Sequence, residues 1–213
     1  AEVDVSFALA FPDVYEVGMS HLGLKILYHI LNQRTDTAAE RVYAPWVDME
    51  EAMRADGIPL YTLESFRPVA EFDVVGFTLQ YEMSYTNILN MLDLAGIPLL
   101  AAERAEHHPL VNAGGPCAFN AEPLADFVDF FLLGESEDAI VEVTEIIAAW
   151  KRGGKRGGRD GVLAELAEIE GVYVPSFYKV DYGQDGTIAG VKPLNAAARP
   201  VITKRVVRDL DAA

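Results

Sequence analysis

The segment Pro12-Asp13-Val14-Tyr15-Glu16-Val17-Gly18-Met19-Ser20-His21 holds the first residues whose types and spacing could do chemistry. Gly18 permits a tight turn, and a helix starting beyond it would offer free backbone N–H groups to an anion. Asp13 and Glu16 oppose that use, because two carboxylates beside the same donors repel a phosphate. In the alternative reading Asp13 caps the loop backbone and Tyr15 packs against a sheet. The second candidate is Asn112-Ala113-Gly114-Gly115-Pro116. Its paired glycines let a flat or bulky ligand approach the backbone, and they equally allow a sharp turn. Glu135 and Glu137 read as helix-start carboxylates rather than catalytic acids. His21, His29, His107 and His108 lack metal-ligand spacing, and Cys117 reads as an inert thiol. No Ser-His-Asp order, P-loop or EF-hand occurs. The expectation is no catalytic residue and no metal site in this chain.

The elements that must position these loops follow from the apolar pattern. Val5 to Phe11 and Asp73 to Leu79 are short, nearly continuous apolar runs, as expected of strands buried on both faces of a parallel sheet. Arg41 to Ala44, Leu110 to Ala113 and Asp129 to Leu133 read as three more strands. Between them, helical spacing predicts helices over 21–33 (capped by Ser20), 48–54 (closed by Gly57), 84–95 (ended by Gly96) and 135–150. Glu135, Glu137 and Asp138 would stand in the first turn of the last. Strands alternating with helices imply an α/β fold with a doubly wound, mainly parallel five-stranded sheet, flavodoxin-like in class. In such a sheet ligands bind beyond the carboxyl ends of the strands. That singles out the loops 12–20, 78–85 and 113–120, bordered by 134–137.

The expected organisation is an α/β domain over 1–150, a connector over 151–161 and an extension over 162–213. Residues 151–161 hold five basic side chains among glycines, an anion patch or, in the preferred reading, a flexible solvated connector. The extension reads as a helix from Leu163 to Ile169 and a β-hairpin, Phe177 to Tyr182 with Thr187 to Val191. The Val201 to Leu210 tail, apolar and basic, is expected to pack on something outside this segment. The chain starts without Met and stops at Asp211-Ala212-Ala213, which suggests a fragment of a longer protein.

Charge narrows the partners. With 33 acidic against 17 basic side chains, a formal charge of −16, the surface repels phosphate backbones, so nucleic-acid binding through a broad basic face is not expected. No apolar run reaches the ~18 residues of a membrane span. One cysteine excludes an intramolecular disulfide framework and fits a reducing cytoplasm. It also excludes a cluster that needs three thiolates of this chain.

Asp13-Val14-Tyr15-Glu16-Val17-Gly18 is similar to the D-x-H-x-x-G signature of cobalamin-binding domains. Gly114-Gly115-Pro116, Glu122-Pro123 and Asp129-Phe130-Phe131-Leu132-Leu133-Gly134-Glu135-Ser136-Glu137 resemble the stretch found in cobalamin-binding-type domains that precede radical S-adenosylmethionine (SAM) cores. With Gly171-Val172-Tyr173-Val174-Pro175 and the Lys204 to Leu210 tail, most of the chain resembles the N-terminal region of a largely uncharacterised radical SAM family. The resemblance implies cobalamin as the cofactor of the rim, with Asp13, Tyr15, Gly18, Thr78, Gly114 and Gly115 bordering it. It places the [4Fe-4S] cluster and S-adenosylmethionine in a catalytic core that follows in the same polypeptide, the implied partner. Tyr15 stands where that signature has its cobalt-ligating histidine, and a phenol with pKa about 10 is a poor axial ligand beside imidazole. Thr78-Leu79-Gln80 stands at the small-hydroxyl loop. The resulting expectation is a non-catalytic accessory domain, a degenerate cobalamin-binding fold used for substrate recognition or for packing on the catalytic barrel, with Tyr15, Tyr81 and Tyr85 in the old cofactor site. The alternatives are a cobalamin-binding domain without the lower histidine, and a stand-alone flavodoxin-like signalling module.

Overall fold

The computed structural model describes residues 3–209. Five parallel strands form the body of the sheet: β1 (Val5–Phe11), β2 (Thr37–Tyr43), β3 (Val74–Thr78), β4 (Leu110–Gly114) and β5 (Phe130–Leu132). A sixth, β6 (Val172–Tyr173), joins β5 antiparallel, giving the order β2-β1-β3-β4-β5-β6. The sheet therefore has six strands rather than the expected five. The extra one comes from the extension, and two residues are too short a run to show periodicity. The chain turns into β6 through Gly171 at φ +91°, a left-handed conformation that glycine adopts without strain.

Every residue of β1 is buried, as an apolar run covered on both faces requires. Alternate side chains serve two cores. Phe7, Leu9 and Phe11 pack with α2 (Leu22–Gln33), α5 (Ala139–Arg152) and α6 (Gly158–Leu166). Ala8 and Ala10 face α3 (Val47–Asp56) and α4 (Tyr85–Leu94). Helices on both faces of a mostly parallel sheet make the fold doubly wound, and the strand order reverses between β1 and β3. The open edge at β2 is blocked by side chains. Asn32 bonds both the N–H and the carbonyl of Ala39 at 3.0 Å, and Glu64 accepts from the Arg41 amide at 2.7 Å. An edge so occupied cannot pair with another strand.

Several boundaries moved for local reasons. The cap of α2 is His21, whose Nδ1 accepts from the Leu24 amide at 3.1 Å, and not Ser20. The last large helix starts at Ala139, not at Glu135, because Gly134 at φ +99° turns the backbone away first. Glu135 and Glu137 thus lie in a loop, and Glu142 is the acidic residue of the first turn. In the basic, glycine-rich segment, α5 continues to Arg152 and α6 begins at Gly158. The hairpin of β7 (Tyr178–Tyr182) and β8 (Ile188–Pro193) forms a separate two-stranded sheet.

The tail docks on this domain, contrary to the expectation that it packs elsewhere. The Arg205 amide donates to the Leu133 carbonyl at 2.8 Å, and its carbonyl accepts from the Glu135 amide at 3.1 Å. Its guanidinium pairs with Asp138 at 3.1 Å and Glu142 at 2.5 Å. A Cβ on Gly134 would lie 2.1 Å from the Arg205 carbonyl oxygen, so only glycine admits this crossing. Leu210, the last residue assigned to the tail, lies outside the described residues.

Candidate functional site

Because β1 to β5 run parallel, the loops after them gather at one rim. After β1 comes the short helix α1 (Tyr15–Gly18). It sits directly on aromatic rings: a Cβ on Gly18 would lie 2.6 Å from Phe11 and 2.7 Å from Tyr43. The Tyr15 ring stands edge-on to Tyr43 at 5.2 Å between centroids. Asp13 Oδ1 accepts from the Val14 amide at 2.7 Å, and its Oδ2 accepts from the Tyr81 hydroxyl at 3.2 Å, tying the loops after β1 and β3 together. The Asp13 charge in turn pushes the Tyr81 phenol above its ordinary pKa. Tyr85 lies within reach of the carbonyls of Cys117 and Asn120 at 3.4 Å. Burial and the neighbouring Glu82 raise the Cys117 thiol, which disfavours the thiolate.

Behind this rim, between the sheet and the helices α2 and α5, lies a cavity of about 320 Å³. Thr78, Gly114 and Gly115 line it; Asp13, Tyr15 and Gly18 do not. Register explains the space. Leu9, Gly76 and Asn112 stand side by side across β1, β3 and β4, and Thr78, Gly114 and Leu132 form the next row. Two glycines thus withhold side chains from one layer of the core. Leu24 and Leu27 of α2 and Ile140 of α5 close it from the helix side. Gln80 Nε2 donates to Thr78 Oγ1 at 2.5 Å near the mouth.

Asn112, which the sequence reading quoted only as the start of the paired-glycine segment, and Gly76, which it did not assign to the site, also line the cavity. Asn112 is only 6% exposed, and no hydrogen bond joins its side-chain amide to another described residue. Gly76 leaves room for that amide, since a Cβ there would stand 2.9 Å from Asn112 Oδ1. The signals were a lone amide inside the strand Leu-Val-Asn-Ala-Gly and a glycine inside Val-Val-Gly-Phe-Thr.

A corrin's fit can be judged from these positions. The loop that would supply a lower ligand presents the Tyr15 phenol, and the one histidine lining the cavity, His21, spends its Nδ1 on capping α2. No group of three or more His, Cys, Asp or Glu side chains suited to a metal occurs among the described residues. No helix among them is long and apolar enough to cross a membrane.

The chain resembles known proteins in three ways. Over 136 residues it is 27% identical to an uncharacterized protein of Methanocaldococcus jannaschii, a match spanning 63% of this chain and 24% of that protein. Among solved structures it resembles the radical S-adenosylmethionine methyltransferase TsrM of Kitasatospora setae, determined with tryptophan substrate and a SAM analogue. That likeness has a TM-score of 0.47 at 14% identity and covers 85% of this chain and 29% of TsrM. The chain thus spans about a quarter of each relative's length. The model of the N-terminal region of radical SAM proteins matches residues 23–175, well over half of the sequence. This chain therefore belongs to the radical SAM N-terminal domain family.

Proposed function

We propose that the chain is a non-catalytic accessory domain that packs its carboxyl rim on the catalytic core of a longer radical SAM polypeptide. In this reading it is a degenerate cobalamin-binding fold, with tyrosines in place of the metal ligand. The observation that carries it is the rim itself. Leu22 at the start of α2, and Trp46, Met83 and Phe119 from the loops after β2, β3 and β4, are all more than 60% exposed. Large apolar side chains gathered on one end of a highly acidic molecule favour a permanent partner over open solvent. Family membership and the quarter-length match favour the remainder of the same polypeptide as that partner. The Asp13–Tyr81 hydrogen bond supports the degenerate reading, since it closes one side of the rim without any ligand.

Hydrogen exchange of the rim loops, compared between this chain alone and the longer polypeptide, tests the packing. Slower exchange of 80–85 and 116–120 in the longer protein is the expected result, and equal exchange would overturn it. Hydroxocobalamin tests the other part: no saturable change in the visible spectrum is expected up to high micromolar ligand. A saturable change would instead favour the cobalamin-binding reading, which the cavity beneath Thr78, Gly114 and Gly115 supports.

A further inference from the structure

We infer that Gly134 and Gly171 form a slot that clamps the chain at Arg205 and so fixes, from the carboxyl end of β5, the point from which the polypeptide runs on to its catalytic core. The identity of that partner rests on the packing reading; the slot itself does not. Gly134 follows β5 and Gly171 precedes β6, at φ +99° and +91°. A Cβ on the first would stand 2.1 Å from the Arg205 carbonyl oxygen, and a Cβ on the second 3.0 Å from the Arg205 nitrogen. A left-handed turn alone does not produce such contacts. Gly57 and Gly96 are left-handed too, and a Cβ on either would meet nothing within 4 Å. Two glycines from different loops therefore close on one residue of the tail.

Anchoring of the tail is confined to this point. The Arg199 carbonyl accepts from the Tyr178 hydroxyl at 2.7 Å, but residues 200–204 make no hydrogen bond or ion pair to any described residue. At Arg205 the chain runs parallel to Gly134. Its backbone bonds Leu133 and Glu135, and its guanidinium pairs with Asp138 and Glu142. Two residues on, the Val207 amide donates to the Glu135 carboxylate. The tail is thus held beside the loop after β5, at the same end of the sheet as the exposed Trp46, Met83 and Phe119. Domains joined by a modest interface move relative to one another by default, and the effective concentration of a tethered partner falls as its tether lengthens. Freeing residues 200–207 would add about 15 Å of flexible reach. The clamp keeps the core seated on the rim instead of loosely tethered near it.

The test uses the longer polypeptide, followed by hydrogen exchange and small-angle X-ray scattering. Arg205→Pro removes the amide that bonds Leu133, and Gly134→Ala drives a methyl into the Arg205 carbonyl. Either change should speed exchange of the Glu135 amide by at least about tenfold, since that amide loses its acceptor. Each should also extend the maximum dimension by roughly 15 Å. Gly57→Ala, which adds left-handed strain without touching the tail, should change neither. Arg205→Pro leaves the sheet and its helices untouched, so it decides the matter if Gly134→Ala does not fold. A Glu135 amide exchanging at the native rate in Arg205→Pro, or a freed tail with an unaltered maximum dimension, overturns the proposal. Equal exchange of the rim loops in the native longer polypeptide and in this chain would sink the rim packing alone, because the Glu135 amide and the maximum dimension still report on the clamp.

Discussion

Replacing Asp129 by alanine should cost this chain a large part of its stability. Asp129 stands just before β5 with its side chain 3% exposed, and its Oδ2 accepts from the Val111 amide at 2.7 Å and from Arg104 at 3.0 Å. Its Oδ1 takes Arg159 at 2.8 Å. Arg104 is wholly buried and also donates to the carbonyls of Pro98, Leu99 and Phe127. Burial holds its pKa below the ordinary arginine value, with Asp129 acting in the opposite direction. Without that carboxylate two guanidinium groups face each other with no counter-charge. Breaking a buried pair from one side costs about 3–5 kcal/mol, against a typical total of roughly 5–15 kcal/mol. With a urea slope of about 2–3 kcal/mol per molar, the midpoint should fall by roughly 1–2 M. Urea unfolding followed by circular dichroism reads this directly, and a loss below about 1 kcal/mol would refute the reasoning. Asp129→Leu combined with Arg104→Met should recover part of the loss, because it removes the most deeply buried cation along with the anion.

Other perturbations follow from the same geometry. Gly18→Ala must drive a methyl into the Phe11 and Tyr43 rings, and a loss of about 1–3 kcal/mol in urea unfolding is expected; an unchanged midpoint would mean that α1 moves freely. Arg205→Ala removes the pairs with Asp138 and Glu142 but keeps the backbone bonds to Leu133 and Glu135. Global stability should then fall by no more than about 1 kcal/mol, while amides 203–207 exchange faster; unchanged exchange would count against the guanidinium anchor. Arg34 holds Asp36 below its ordinary value of 3.8, and Arg54 with Asn90 holds Glu50 below 4.5. A carboxylate depressed in the folded state adds stability above its unfolded pKa and loses it as pH falls through the folded one. The urea midpoint should therefore drop from about pH 4.5 downward, and a flat profile from pH 5 to 3 would contradict these pairings.

The sequence by itself determined the doubly wound class, the main parallel strands and the loops that lie at the carboxyl rim. Continuous apolar runs such as Val5 to Phe11 are what a strand buried on both faces requires, and parallel strands necessarily bring the loops that follow them to one end. The pattern Gly114-Gly115-Pro116 with Gly134-Glu135 carried enough of the family's signature to point to the radical SAM N-terminal region, which residues 23–175 match. Tertiary structure alone decided which of those residues share a site. Asn112 meets Gly76 only because β4 pairs with β3 in one particular register across 36 positions of chain, and no local pattern encodes a lateral neighbour. The sixth strand and the docking of Arg205 were hidden for a related reason. A two-residue strand and a single arginine have no periodicity, and their positions depend on backbone groups, those of Phe131 and Leu132 for the strand and of Leu133 and Glu135 for the arginine, that become available only once the sheet has formed.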